Sequence, residues 1–108
     1  MNFPNDENGD ILRKMIKRGD DLSKSRKIDF YFVFPEEHQA RNFARQARLT
    51  SGLACEVERY EERDMWEATV TRDMIPSHQE VTELENSLDK IAQSHGGEAD
   101  GWGCFIVK

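Results

Sequence analysis

Ile28-Asp29-Phe30-Tyr31-Phe32-Val33-Phe34-Pro35 is the stretch on which the fold turns. Its large apolar side chains recur at every second position, which places Ile28, Phe30, Phe32 and Phe34 on one face of a strand. Pro35 has no amide hydrogen to continue a ladder, so the strand ends there and a helix starts at about Glu36. Ala40, Phe43, Ala44 and Ala47 share one side of that helix, and Gly52 lies just past its end. Small inward residues let such a helix approach a sheet closely.

The same alternation continues downstream. Leu53, Cys55 and Val57 alternate with Ala54, Glu56 and Glu58 in a second strand. Tyr60-Glu61-Glu62-Arg63-Asp64 makes a turn, and Trp66, Ala68 and Val70 alternate with Glu67, Thr69 and Thr71 in a third. Met74-Ile75-Pro76 breaks it. Ser77-x-x-Glu80 has the spacing of a capping box, and the helix it opens carries Val81, Leu84, Leu88 and Ile91. A last strand is expected over about 101–107, after a helix stop at Gly96-Gly97 and a turn at Asp100-Gly101. Upstream, a short helix is expected from Asp10 as N-cap to Arg18, with Ile11, Leu12, Met15 and Ile16 inward and Gly19 ending it.

The order α-βαββαβ implies an α+β, ferredoxin-like βαββαβ two-layer sandwich with an extra N-terminal helix. At 108 residues and with no linker or repeat, positions 1–108 make a single domain. If the helices cover Ile28, Phe30, Phe32, Cys55, Val57, Trp66, Ala68 and Val70, the opposite sheet face shows Tyr31, Val33, Glu56, Glu58, Glu67, Thr69 and Thr71. RNA-binding modules of this topology put exposed aromatics among cations. Here one tyrosine sits among carboxylates.

Charge points the same way. The formal net charge is −6, split as +2 over residues 1–54 and −8 over residues 55–108. Nucleic-acid readers rely on clustered cations, so an acidic half argues against one and suits a basic protein partner. The basic stripe Arg41, Arg45, Arg48 on the second helix is the alternative, an RNA contact used together with Tyr31. Met1 to Asp6 is polar and acidic, unlike a signal peptide, and no apolar run reaches membrane-spanning length. A cytoplasmic protein with two free thiols, Cys55 and Cys104, is the expectation.

Little points to catalysis. His38, His78 and His95 lie at no metal-ligand spacing, so neither a metal nor a cofactor is expected. Glu61, Glu62 and Asp64 crowd a turn where wet carboxylates are ordinary. His95, Asp100 and Cys104 form the one conceivable thiol site, with Cys104 as nucleophile. Trp102, between Gly101 and Gly103, reads as a core residue opening the last strand or as an exposed anchor for a partner.

Phe3-Pro4, Gly9-Asp10, Asp21-Leu22-Ser23-Lys24, Ile28-Asp29-Phe30, Phe34-Pro35, Val70 to Pro76, Gly96-Gly97 and Asp100-Gly101-Trp102-Gly103 together resemble the regulator of ribonuclease E activity B family. The Asp-Gly-Trp-Gly motif is the most specific part. The resemblance implies a small cytoplasmic ferredoxin-like domain that binds the endoribonuclease, mainly through its non-catalytic region, and inhibits RNA cleavage without catalysing a reaction. It also implies a partner with basic, arginine-rich segments. Members of that family carry an acidic tail after the last strand, whereas this sequence stops at Lys108. The open sheet face and the glycine-flanked tryptophan make Glu56, Glu58, Glu67, Tyr31 and Trp102 the partner-binding candidates, with no contact residue supplied by the resemblance itself.

Overall fold

In the computed structural model, which describes residues 3–108, the central strand β1 spans Arg26–Phe34 and pairs antiparallel on both sides. The helix α2 (Glu37–Ser51) follows, then β2 (Ala54–Tyr60), a single 3-10 turn (Glu61–Arg63), and β3 (Met65–Met74). The helix α3 (His78–Ser94) and the strand β4 (Glu98–Gly103) complete the sandwich, and the N-terminal helix α1 (Glu7–Lys17) precedes it. The sheet order is β2-β3-β1-β4, the ferredoxin-like arrangement expected from the element order.

The register sorts the two faces. Phe30 stands opposite Val70, Phe32 opposite Ala68 and Phe34 opposite Trp66, so all six point to the helix side. Phe43 of α2 packs its ring 5.0 Å from that of Phe32 and 5.2 Å from that of Phe34. Ala40, Ala44 and Ala47 are buried beside it, which is the close approach their size permits. From α3, Val81, Leu84, Leu88 and Ala92 close the core. A Cβ at Gly97 would overlap the Phe34 ring, so this position must stay bare for α3 to turn into β4.

Several boundaries differ from the sequence expectations. The first helix starts a turn early, because Asp6 rather than Asp10 caps it by accepting from the Gly9 amide at 2.8 Å. Its buried stripe therefore begins at Asn8 and runs through Leu12 and Met15, which rotates Ile16 out to 41 % exposure. Helix α1 joins the helical layer beside α3 and over the β4 side, leaving the other sheet face uncovered by helices. At α3, Ser77 Oγ accepts from the Glu80 amide at 3.1 Å, but among the described residues Glu80 does not return the bond. That reciprocal contact forms instead at α2, where Gln39 accepts from the Glu36 amide.

The last strand differs most. It occupies Glu98–Gly103 rather than 101–107, and Asp100-Gly101 is not a turn but a bulge. Phe30 faces Trp102 and Phe32 faces Ala99, so one extra residue is accommodated on β4 between them. Gly101 takes φ +106°, a conformation other residues strongly resist. Each outermost strand has a backbone group held by a helix side chain. Arg48 donates to the Cys55 carbonyl at 2.6 Å, and Asp89 accepts from the Ala99 amide at 2.9 Å.

Residues 104–108 run back along the loop after α1 and are fixed by a buried ion pair. Arg26 Nη1 meets Asp20 Oδ2 at 2.6 Å, with side chains only 5 % and 0 % exposed. The guanidinium also donates to the carbonyls of Phe105, Asp21 and Lys24, and the hydrogen bond to Asp20 holds its pKa above the ordinary arginine value. Asp21 donates its amide to the Val107 carbonyl at 2.7 Å.

Candidate functional site

The face opposite the helices is built by strand alternation, row by row. Glu58 stands directly opposite Glu67, Glu67 opposite Val33, and Val33 opposite Glu98. The next row runs Glu56, Thr69, Tyr31 and then the bulge at Asp100-Gly101. The row beyond is Ala54, Thr71, Asp29, Gly103. Carboxylates thus recur in every row, and one pair of them is directly cross-strand, where like charges repel.

Val33, expected to be exposed here, is fully buried. It is short, and in register it lies between Glu67 and Glu98, whose long side chains flank it on both neighbouring strands. Burial raises the Glu67 pKa above 4.5, and the charges of Asp100 and Glu58 raise it further. Among the described residues, Glu56, Glu58 and Glu67 form no ion pair. Arg63 reaches Asp100 at 3.1 Å, and Arg59 turns to Asp64 and to the Trp66 ring on the other side. The face is therefore a field of negative charge with few internal counterions. Tyr31 sits within it, half-buried, its hydroxyl pKa raised by burial and by the charges of Asp29 and Glu67.

Trp102 belongs to the other side of the sheet. It is 8 % exposed, and its Nε1 donates to Asn8 Oδ1 at 2.8 Å. Asn8 in turn donates to Thr82 Oγ1 at 3.0 Å and Glu85 Oε1 at 3.3 Å. The indole therefore ties β4 to α1 and, through Asn8, to α3. Asp100, Gly101 and Gly103 of the motif supply the bulge that turns Trp102 inward while Asp100 joins the acidic face.

The thiol trio does not assemble. His95 follows α3 and bonds Gln46 at 2.7 Å, while Asp100 is held by Arg63. His95 and Cys104 lie beyond opposite ends of β4, a strand about 16 Å long at the usual rise per residue. Burial raises the Cys104 pKa above 9.0 despite nearby Arg26, and pushes the Cys55 thiol up to about 11. Both cysteines are free, three strand spacings separating β2 from β4. Of the basic stripe, Arg41 pairs with Glu37 and Arg48 with the Cys55 carbonyl, which leaves little of it for a phosphate. Among the described residues no group of three or more His, Cys, Asp or Glu is placed to hold a metal ion. Among the described residues no helix is long and apolar enough to cross a membrane.

A family model described as Regulator of ribonuclease activity B matches residues 5–104, nearly the whole chain and including the Asp-Gly-Trp-Gly bulge. The chain belongs to the regulator of ribonuclease activity B family. Among curated proteins no significant match accompanies it. Membership gives the chain its general role, regulation of ribonuclease activity. It also agrees with the resemblance carried by the motifs and with the ferredoxin-like sandwich.

The sequence pattern found Glu56, Glu58, Glu67 and Tyr31, and the structure brings them onto one surface. It missed Asp29, Glu98 and Asp100, which join that surface only through strand register and the bulge. It also missed the Asp20–Arg26 pair. One signal was present: Arg26 has the same parity as Ile28, Phe30, Phe32 and Phe34, so it had to point inward.

Proposed function

We propose that the chain is a non-catalytic inhibitor that binds an endoribonuclease of the ribonuclease E kind in the cytoplasm, laying its acidic sheet face against a basic segment of the nuclease. The observation that carries this reading is the row Glu58–Glu67 beside Glu56, with Glu56 and Glu58 exposed and Glu67 half-buried, and none of the three in an ion pair among the described residues. Complementary charge of this kind steers association and selects basic partners over nucleic acid. Free cysteines suit a reducing compartment. Tyr31 adds an aromatic contact among the carboxylates, whereas Trp102 acts indirectly, by fixing the bulge that carries Asp100.

The test is a cleavage assay with purified nuclease and a fluorescent RNA oligonucleotide, run beside a direct binding titration. The chain should slow cleavage, and binding should weaken as salt rises. Reversal of Glu56, Glu58 and Glu67 to lysine should cut affinity by at least tenfold while the melting curve stays cooperative. Undiminished binding by that triple variant would remove the acidic face from the interface.

A further inference from the structure

Beside the acidic rows lies a groove of ≈ 610 Å³ whose walls include Lys27, Asp29, Tyr31, Glu56, Gly103 and Phe105. Phe105 is the most exposed large hydrophobic residue described, at 90 %. Its backbone is nevertheless fixed, since its carbonyl accepts from the buried Arg26 at 3.2 Å. A rigidly mounted aromatic ring in water gains nothing for the fold, and it faces a groove that already contains Tyr31. Asp29 is oriented as well, accepting from Thr71 Oγ1 at 2.6 Å. Lys27 has Asp73 directly opposite in register, and two acidic groove residues, Asp29 and Glu56, outnumber it.

We propose that this groove is a subsite for one arginine side chain of a bound peptide, chosen over lysine. Two aromatic rings beside carboxylates match a planar guanidinium, which stacks on rings and donates two parallel hydrogen bonds to one carboxylate. An ammonium group satisfies the charge but not the plane. The groove lies on the open sheet face, beside Glu58 and Glu67, so the long-range field and the local fit act on the same ligand. The inference rests on the reading above that this face meets a basic polypeptide. It goes further in naming the side chain and where it sits.

Asp29 or Glu56 accepts from the guanidinium, and the stacked ring adds an attraction of which a lysine at the same place gains less.

The test uses two fluorescein-labelled peptides of equal length and charge, one with arginine alternating with glycine and one with lysine in place of each arginine. Anisotropy titrations at fixed salt should show the arginine peptide binding about fivefold to tenfold more tightly. Phe105→Ala and Tyr31→Leu should bring that ratio to about one, with cooperative melting retained. Glu58→Gln with Glu67→Gln should weaken both peptides alike and leave the ratio intact. Equal binding of both peptides to the unaltered chain would overturn the subsite while sparing the acidic-face reading, and binding of neither would overturn both. If a single-stranded RNA oligonucleotide binds instead and Phe105→Ala abolishes that binding, the rings stack bases and the proposal fails.

Discussion

Replacing Arg26 with methionine should be among the most damaging single changes in the chain. Methionine keeps most of the stem volume but leaves the Asp20 carboxylate buried, its side chain 0 % exposed, without its counterion. Breaking a buried pair from one side costs about 3–5 kcal/mol. A domain of this length is stable by roughly 5–15 kcal/mol, so about a fifth or more would go. At about 4 °C per kcal/mol, the melting temperature should fall by about 12–20 °C. Combining Arg26→Met with Asp20→Leu should recover much of the loss, because no orphaned charge remains. Recovery should stay incomplete, since the carbonyls of Asp21, Lys24 and Phe105 still lack their donor, at about 1 kcal/mol each. Thermal and urea denaturation followed by circular dichroism measure all three variants. A single variant that loses less than about 1 kcal/mol, or a double variant no better than the single, would refute the reasoning.

Trp102→Ala should cost about 3–5 kcal/mol, because a buried indole is removed and Asn8 Oδ1 loses its donor. Denaturation curves check it, and a loss of partner binding with full stability would mean the ring is an anchor after all. Glu67→Gln should stabilise the fold at neutral pH. Its folded pKa lies above 4.5, so the folded state holds the proton more tightly and stability drains away as pH rises through the window just above that value. The advantage of glutamine should therefore vanish as pH falls below 4.5, as melting series at stepped pH would show. Cys104 should react slowly with iodoacetamide at neutral pH and faster above pH 9, because its thiol pKa is raised. Rapid labelling at pH 7 would restore the case for a thiol nucleophile.

Most of the sandwich was legible because burial on one side writes itself into strand alternation. Ile28 to Phe34 and Trp66 to Val70 kept their faces, and α3 kept its apolar stripe. What escaped were features made by residues far apart in the chain. Asn8 and Trp102 meet across 94 positions, and nothing local marks Asn8 as buried. Asp100-Gly101 has the composition of a turn, yet a positive-φ glycine serves a bulge equally well, and only pairing with β1 decides between them. Phe105 fitted the alternation of an expected strand, but Arg26 draws the chain off the sheet there and leaves the ring outside. The acidic face was readable in outline from Glu56, Glu58 and Glu67. Its full extent depended on which strands are neighbours.

Arg48 at Cys55 and Asp89 at Ala99 have a bearing on how the molecule meets others. An open sheet rim is where identical chains zip into runaway stacks, and each rim here has a side chain parked on its backbone. A visiting polypeptide is thereby steered away from lengthening the sheet and toward lying broadside across it. Concentrated solutions should consequently stay free of ribbon-like polymers, and removing either guard should be the quickest way to provoke them.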